Sequence, residues 1–201
     1  MSETSFGQKK PYHHGDLREQ LLAAGESALA ELPFEAVTLR EIARRAGVSH
    51  AAPKHHFSTL GDLLGEIAAR GFDRFVVDLA SGADRASRQS ADGRLAGMGR
   101  AYIHFAEANP AVYGLMFGKR DELAVTPHLA IAMMNAWDQL ELAAAKLVGP
   151  ARAPLAAITV WSSVHGLAML KLARRTPPNI SLHGLDEHMI RTLIAGLQAE
   201  V

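Results

Sequence analysis

The fold of this chain is decided by the segment Thr38-Leu-Arg-Glu-Ile-Ala-Arg-Arg-Ala-Gly-Val-Ser-His50. Thr38 and Glu41 have the S/T-x-x-E spacing of a capping box, which satisfies two backbone amides at the start of a helix. Gly47 is typical of a helix end, and Ser49 is a favoured N-cap for a further helix. Two short helices separated by a tight turn predict a helix-turn-helix.

Another helix precedes this segment. Its apolar residues recur at three- and four-residue steps, and they are Leu17, Leu21, Ala24, Ala28 and Leu32. Asp16 with Glu19 makes a capping-box-like start, and Pro33 ends the helix. With a third helix over residues 49–56, three helices fill a predicted N-terminal helix-turn-helix domain, residues 1–60.

Longer amphipathic segments follow from residue 61 onward. Five apolar stripes at helical spacing are present, and their first apolar residues are Leu63, Leu95, Leu129, Ile158 and Ile190. Polar stretches or proline-containing breaks separate the stripes, and no alternating strand pattern competes with them. The sequence therefore predicts an all-α protein in which a larger bundle of five to six helices, residues 61–201, follows the first domain without a flexible linker.

Basic residues are concentrated around the predicted turn. The whole chain has 21 Lys and Arg against 21 Asp and Glu, so its net charge indicates no partner. Residues 36–58, however, contain a single acidic residue, Glu41, and four basic residues, which are Arg40, Arg44, Arg45 and Lys54. Such a patch would neutralise DNA phosphates, and the third helix would offer the major groove His50, Ala51, Lys54 and His55. The alternative is that Arg44 and Arg45 form only the solvated face of a surface helix.

Catalysis and metal binding lack a recognisable site. The chain has no cysteine, which excludes disulfides, thiolate nucleophiles and cysteine-ligated zinc. The pairs His13-His14 and His55-His56 are adjacent and therefore point to different sides of a helix, unlike metal ligands. Ser162, Ser163 and His165 lie close together but lack an orienting group and an oxyanion site. We expect no enzyme, no metal and no cofactor, and an adaptor that binds only other proteins is the remaining alternative.

One segment has the length and composition of a membrane span. Residues 153–170 carry no formal charge and lie between Arg152 and Lys171. Pro154 and several small or polar residues interrupt the segment, which favours an apolar helix buried between protein helices. Residues 1–7 are polar and lack the apolar core of a signal peptide, so we expect a cytoplasmic protein without a membrane partner.

On these residues the chain resembles the tetracycline-repressor (TetR) family. The N-terminal signature of that family is matched by Thr38–Phe57 and, more loosely, by Tyr12–Phe72. Three segments, Pro11–Gly15, Val48–Pro53 and Trp161–Gly166, resemble the subfamily named for a Trp-His-Gly (WHG) C-terminal domain. The resemblance covers nearly the whole chain and implies a regulator that binds double-stranded operator DNA.

The resemblance assigns DNA-contacting roles to individual residues. Thr38 and Arg40 would touch the DNA backbone, and the recognition helix would present Ser49, His50, Ala51, Lys54 and His55. Two positions depart from the family pattern, because Lys54 replaces a usual aromatic residue and Leu60 replaces a usual lysine. These departures bear on base preference and affinity. Pro53 is tolerated in the first turn of a helix, where at most one backbone bond is lost.

A basic and aromatic arm precedes the first helix. It consists of Lys9, Lys10, Tyr12, His13 and His14. Such arms lie along a groove or a phosphate track in other DNA-binding folds, and the alternative is a frayed terminus.

The resemblance also implies a mode of action and an assembly. The chain would be a repressor whose grip on its operator loosens when a small molecule occupies the second domain, although activators exist in such families. A homodimer is expected through helices at Pro154–Arg174 and Gly184–Gln198, which combine apolar stripes with small residues. The alternative is that these stripes only complete the core of the monomer.

We predict a pocket for an apolar or aromatic ligand in the second domain. Methionines adapt to irregular shapes, and aromatic rings provide flat apolar walls. The candidate lining residues, each of which could instead belong to the packed core, are Met98, Tyr102, Phe105, Tyr113, Met116, Phe117, Met133, Trp137, Trp161 and His165. His165 lies one turn after Trp161 and needs a polar partner, either a protein group or the ligand.

Overall fold

The computed structural model describes residues 14–86, 90–118, 123–175 and 184–199. Within these ranges the chain is all-α, as predicted, with eight α-helices and no strand. The helices are α1 (His14–Glu31), α2 (Leu39–Arg45), α3 (Leu60–Ala86), α4 (Ala91–Ala108), α5 (Pro110–Phe117), α6 (Pro127–Val148), α7 (Ala153–Leu172) and α8 (Leu185–Ala199). Two short 3-10 helices, Phe34–Ala36 and Ala52–His55, flank α2.

The predicted cap of α2 forms only in part. The Thr38 hydroxyl accepts a hydrogen bond from the Glu41 backbone N–H at 3.1 Å, as a capping box requires. The Glu41 carboxylate does not reach back to Thr38, because two arginines of α2 engage it instead. Gly47 follows the helix with a φ of 69°, a left-handed conformation that favours glycine and turns the chain sharply.

The third predicted helix is shorter and tighter than expected. The chain forms a turn at residues 50–51 and then the 3-10 helix Ala52–His55. Pro53 is one reason, since it has no N–H to donate to an earlier carbonyl. The Ser49 carbonyl accepts from Ala52 N at 3.0 Å, but the Ser49 side chain makes no cap bond. The predicted N-cap role of Ser49 is therefore wrong, while the position of Pro53 in the first turn is confirmed.

The start of α1 also differs from the prediction. The helix begins at His14, so Asp16 lies inside it rather than at its cap. The carboxylate of Glu19 pairs with Arg70 of α3 at 2.5 Å, which is why it does not act as a capping-box acid. The predicted arm falls mainly on residues 9–13, which lie outside the described residues.

α3 connects the helix-turn-helix with the bundle. It begins with a complete capping box, in which Asp62 N donates to Thr59 Oγ1 at 3.1 Å and Thr59 N donates to Asp62 Oδ2 at 2.8 Å. The helix then runs without a break to Ala86 and packs against α1, α4, α5 and α6. Buried residues from α1 to α8 form one continuous core, so no flexible linker separates the two parts.

The first turn of α6 is fastened to α3. Ala124 N donates to the Gly61 carbonyl at 3.2 Å. The His128 imidazole contacts Glu66 through Nδ1 and lies 2.8 Å from Asp73 Oδ2 through Nε2. The hydrogen bond to Glu66, followed by the bond to Asp73, raises the pKa of His128.

The bundle contains six helices, α3 to α8, within the described ranges. The five stripes do not predict α5, because the proline-containing break at Asn109-Pro110 indicates only a helix end. Pro110 in fact begins α5, at a position where its missing N–H costs little. On α7 the predicted apolar stripe is partly wrong, since Ile158 is exposed and Val160 and Val164 face the core.

α7 is long and apolar enough to cross a membrane by length and composition alone. Its inner face packs against α4, α6 and α8 as expected of a protein helix. Its outer face is open to solvent: Leu155 is 71% exposed, and Met169 and Leu170 are also exposed. One such helix is weak evidence for a membrane span.

Candidate DNA-binding surface and ligand pocket

The eight predicted DNA-contacting residues share one property in the structure, which is exposure to solvent. They lie on α2 and its cap and on the recognition segment, which we define as residues 49–57. The residues are Thr38, Arg40, Arg44, Ser49, His50, Ala51, Lys54 and His55. Their side chains are therefore available to a partner.

The recognition segment is held from behind by buried residues. Pro53 and Phe57 are buried, and the Arg18 guanidinium lies over the Phe57 ring, 5.5 Å from its centroid. Arg18 also pairs with Glu66 of α3 at 3.0 Å. These contacts fix the segment while its other side stays open. Sequence reasoning missed Arg18, since its partners lie 39 and 48 residues away along the chain.

Arg44 and Arg45 are adjacent but have different environments. Arg44 is 66% exposed and forms a two-bond contact with Glu41, at 2.8 and 2.7 Å. Arg45 is only 15% exposed and binds Glu41 and Glu31, both at 2.8 Å. It also donates to Ser27 Oγ at 2.9 Å. Arg45 therefore ties α2 to α1, and counting it among the charges available to phosphate was wrong.

Glu41 is the acid that both arginines share. Hydrogen bonds from Arg44 and then from Arg45 lower the pKa of Glu41 to about 2. Its negative charge offsets part of the Arg44 charge at neutral pH. Arg40 and Lys54 form no ion pair with any residue that the structure describes, so their charges remain uncompensated.

Leu60, the other position that departs from the family pattern, is half-buried against the core at the first turn of α3.

A cavity of about 180 Å³ lies between α3, α4, α6 and α7, and Phe117 of α5 also lines it. Six of the ten predicted residues line it: Met98, Tyr102, Phe117, Met133, Trp137 and Trp161. Four do not: Phe105, Tyr113 and Met116 belong to the buried core, and His165 is half-buried beside Tyr102 and Tyr113. The sequence missed other wall residues, among them Phe72, Phe75 and Leu79 of α3. They continue the apolar stripe that begins at Leu63, and periodicity alone does not distinguish a cavity wall from packed core.

The Nδ1 atom of His165 has partners inside the protein. It lies 2.8 Å from the hydroxyl of Tyr102 and 2.8 Å from that of Tyr113. The two hydroxyls are 3.0 Å apart, and Trp161 Nε1–H donates to Tyr102 at 3.3 Å. Burial raises the pKa of Tyr102, raises that of Tyr113 to about 12 and lowers that of His165. The cluster is therefore uncharged at neutral pH.

Two family descriptions match this arrangement. "Bacterial regulatory proteins, tetR family" matches residues 21–67, and "Tetracyclin repressor-like, C-terminal domain" matches residues 95–193. The chain belongs to the TetR family. The second match includes Trp161–Gly166, one of the three segments on which the resemblance to the WHG subfamily rests.

Several solved structures share the fold of this chain. A protein of unknown function from Rhodococcus sp. RHA1 is 31% identical, with 94% of this chain and 100% of that chain covered and a TM-score of 0.82. A transcriptional regulator from the same organism is 25% identical, with 91% and 96% covered and a TM-score of 0.66. A possible TetR family regulator from Streptomyces coelicolor A3(2) is 19% identical, with 92% and 100% covered and a TM-score of 0.67. A comparison with curated proteins finds no significant match.

Family membership establishes the general function. TetR family members are soluble DNA-binding transcription regulators, not enzymes, and they bind DNA as dimers. In this chain the side chains predicted to contact DNA are exposed on α2, its cap and the recognition segment.

Proposed function

We propose that this chain is a cytoplasmic, homodimeric repressor that leaves its operator when a small apolar or aromatic ligand fills the cavity. The observation that carries this proposal is the pairing of an exposed basic helix-turn-helix with an apolar cavity in one continuous core. We divide the chain between residues 60 and 61, in the first turn of α3.

The proposed DNA contacts follow from exposure and charge. Arg40, Arg44 and Lys54 would neutralise phosphates, with Arg44 contributing less because it shares Glu41. His50 would face base edges in the major groove, since it is exposed at the start of the recognition segment. Thr38 would donate its hydroxyl hydrogen to a phosphate, because its oxygen already accepts from the α2 backbone.

The proposed dimer interface is the outer face of α7 and α8. Leu155, Met169 and Leu170 are exposed there, an apolar face that monomeric soluble proteins rarely leave uncovered. Gly166 of α7 and Gly196 of α8 are also exposed, and a Cβ added to either would meet nothing within 4 Å. Glycine inside a helix costs about 1 kcal/mol relative to alanine, so close approach of a second helix would give these glycines a use.

This interface has a direct test with a matched control. Gly166→Leu places a Cβ where nothing lies within 4 Å on the exposed face of α7, whereas a close helix pair would leave no room for the leucine. We expect the variant to remain folded, to become monomeric by light scattering and to lose operator affinity. Gly114→Leu is the control, because its added Cβ also meets nothing within 4 Å but lies on α5, away from the proposed interface. A monomeric wild type with intact operator binding, or an unaffected Gly166→Leu dimer, would contradict the interface.

Repression and ligand release are tested together on the regulated promoter. Fluorescence anisotropy with an operator duplex measures DNA affinity, and transcription in vitro measures the direction of regulation. We expect the protein alone to reduce transcription and a bound ligand to restore it. For this coupling the ligand must bind the DNA-free dimer more tightly than the operator-bound dimer, because equal affinities shift nothing. Activation by the protein, or operator affinity unchanged at saturating ligand, would contradict this part of the proposal.

A further inference from the structure

The wall of the cavity offers a ligand almost no polar partner. Its lining consists of apolar and aromatic side chains and one glycine, with no charged residue among those that the structure describes. Six rings contribute to the wall: Phe72, Phe75, Tyr102, Phe117, Trp137 and Trp161. Such a surface attracts a guest by apolar burial and ring contacts.

The side-chain polar atoms on this wall already have partners inside the protein. Trp137 Nε1–H donates to Glu141 Oε2 at 2.7 Å. Trp161 Nε1–H donates to the Tyr102 hydroxyl at 3.3 Å, and that hydroxyl also contacts Tyr113 and His165. No side-chain donor or acceptor on the described wall is left for the ligand to satisfy. A polar group on the ligand would lose its water without gaining an equivalent partner.

Charge on the ligand would be disfavoured for either sign. A carboxylate would find no cation on the wall, and the nearby Tyr–His cluster is uncharged at neutral pH. A cation would contact aromatic faces, but the described wall has no carboxylate to pair with it. Glu141 lies outside the wall, and its carboxylate already accepts the Trp137 hydrogen bond. Burying an unpaired charge costs far more than an apolar contact returns.

From these observations we propose that the ligand is an uncharged, hydrocarbon-like molecule of one ring with short substituents, or of two fused rings, held without a polar anchor. The size follows from the volume: the cavity of about 180 Å³ is somewhat larger than an apolar cavity of roughly 150 Å³ that binds benzene. This inference rests on the proposed function for the role of the site, and it decides against the alternative in which the ligand is the polar partner of His165.

The tryptophans provide the assay. Trp137 and Trp161 are the only two tryptophans in the sequence, and both line the cavity. Intrinsic fluorescence of the full-length dimer therefore reports on cavity occupancy. The probes are toluene, benzoate and benzylammonium, which share one ring and differ in charge. We expect a saturable fluorescence change with toluene, and binding weaker by on the order of 100-fold for both ions.

A variant that fills the cavity supplies the control. Ala136→Leu adds volume to the wall, whereas Asn135→Leu changes the exposed neighbour on the same helix. We expect the first to weaken toluene binding at least tenfold and the second to leave it unchanged. If Ala136→Leu does not fold, a second pair of single variants replaces it. Met133→Phe is the test, because Met133 lines the cavity, and Met134→Phe is the control, because Met134 is exposed.

The outcomes separate this inference from the proposed function. Benzoate or benzylammonium binding as tightly as toluene would overturn the uncharged ligand class, whatever happens at the operator. A fluorescence signal and melting temperature unchanged by toluene would overturn it as well. Toluene binding that leaves operator affinity unchanged would support the ligand class while contradicting ligand control of the repressor.

Discussion

Lys54 offers the sharpest quantitative test of the DNA-binding surface. It is exposed on the recognition segment and has no ion-pair partner among the described residues, so its full charge is available to a phosphate. Each phosphate neutralised contributes about 0.9 to the slope of log K against log salt, so Lys54→Ala in both protomers should reduce that slope by about 1.8. When salt is raised from 50 to 200 mM, the factor by which affinity falls should be roughly 12 times smaller for the variant than for the wild type.

The assay is operator binding by fluorescence anisotropy at several salt concentrations. Arg100→Ala is the matched control, since it also removes one positive charge but pairs with Glu187 in the bundle. It should leave the slope unchanged. Arg45→Ala should weaken binding at all salt concentrations with little change in slope, because Arg45 positions α2 against α1. An unchanged slope for Lys54→Ala would refute the phosphate assignment.

Three further predictions concern the fold around the site. Gly65→Ala should destabilise the protein by roughly 1–3 kcal/mol in urea unfolding, because the new Cβ would collide with a backbone carbonyl before α6; Gly114→Ala, which meets open space, should not. Tyr102→Phe should cost about 1–3 kcal/mol, because an indole N–H loses its acceptor, and full retention of stability would contradict the cluster. Glu66 raises the pKa of His128, so stabilisation by His128 is fully present below pH 6.5 and is lost as pH rises through the raised pKa. The melting-temperature difference between wild type and His128→Asn should therefore shrink at higher pH, and a constant difference would argue against this ion pair.

Local chemistry explains why much of the helix-turn-helix is predictable from sequence. The Thr38 cap and the left-handed Gly47 are decided by residues within a few positions, so their sequence signals are direct. The exposed side of the recognition segment follows from the same local spacing. Pro110 shows the limit of such signals, since a proline can both end one helix and begin the next.

Long-range contacts explain what the sequence could not predict. Arg45 appeared as a free charge because Glu31, its partner, lies 14 residues away. From the sequence, the polar partner of His165 could be a protein group or the ligand. Its partners in the structure, Tyr102 and Tyr113, lie 63 and 52 residues away along the chain. The same limit applies to the cavity, because helical periodicity identifies an apolar face but not the gap left between several such faces.

The central claim, sequence-specific binding of DNA by a symmetric dimer through the recognition segment, has one direct test. In vitro selection from random duplexes with the full-length protein should enrich a two-fold symmetric motif, because each protomer reads one half-site. The same selection with His50→Ala should change base preference at one equivalent position in both half-sites. Failure to enrich any motif, or an identical motif from His50→Ala, would contradict the claim.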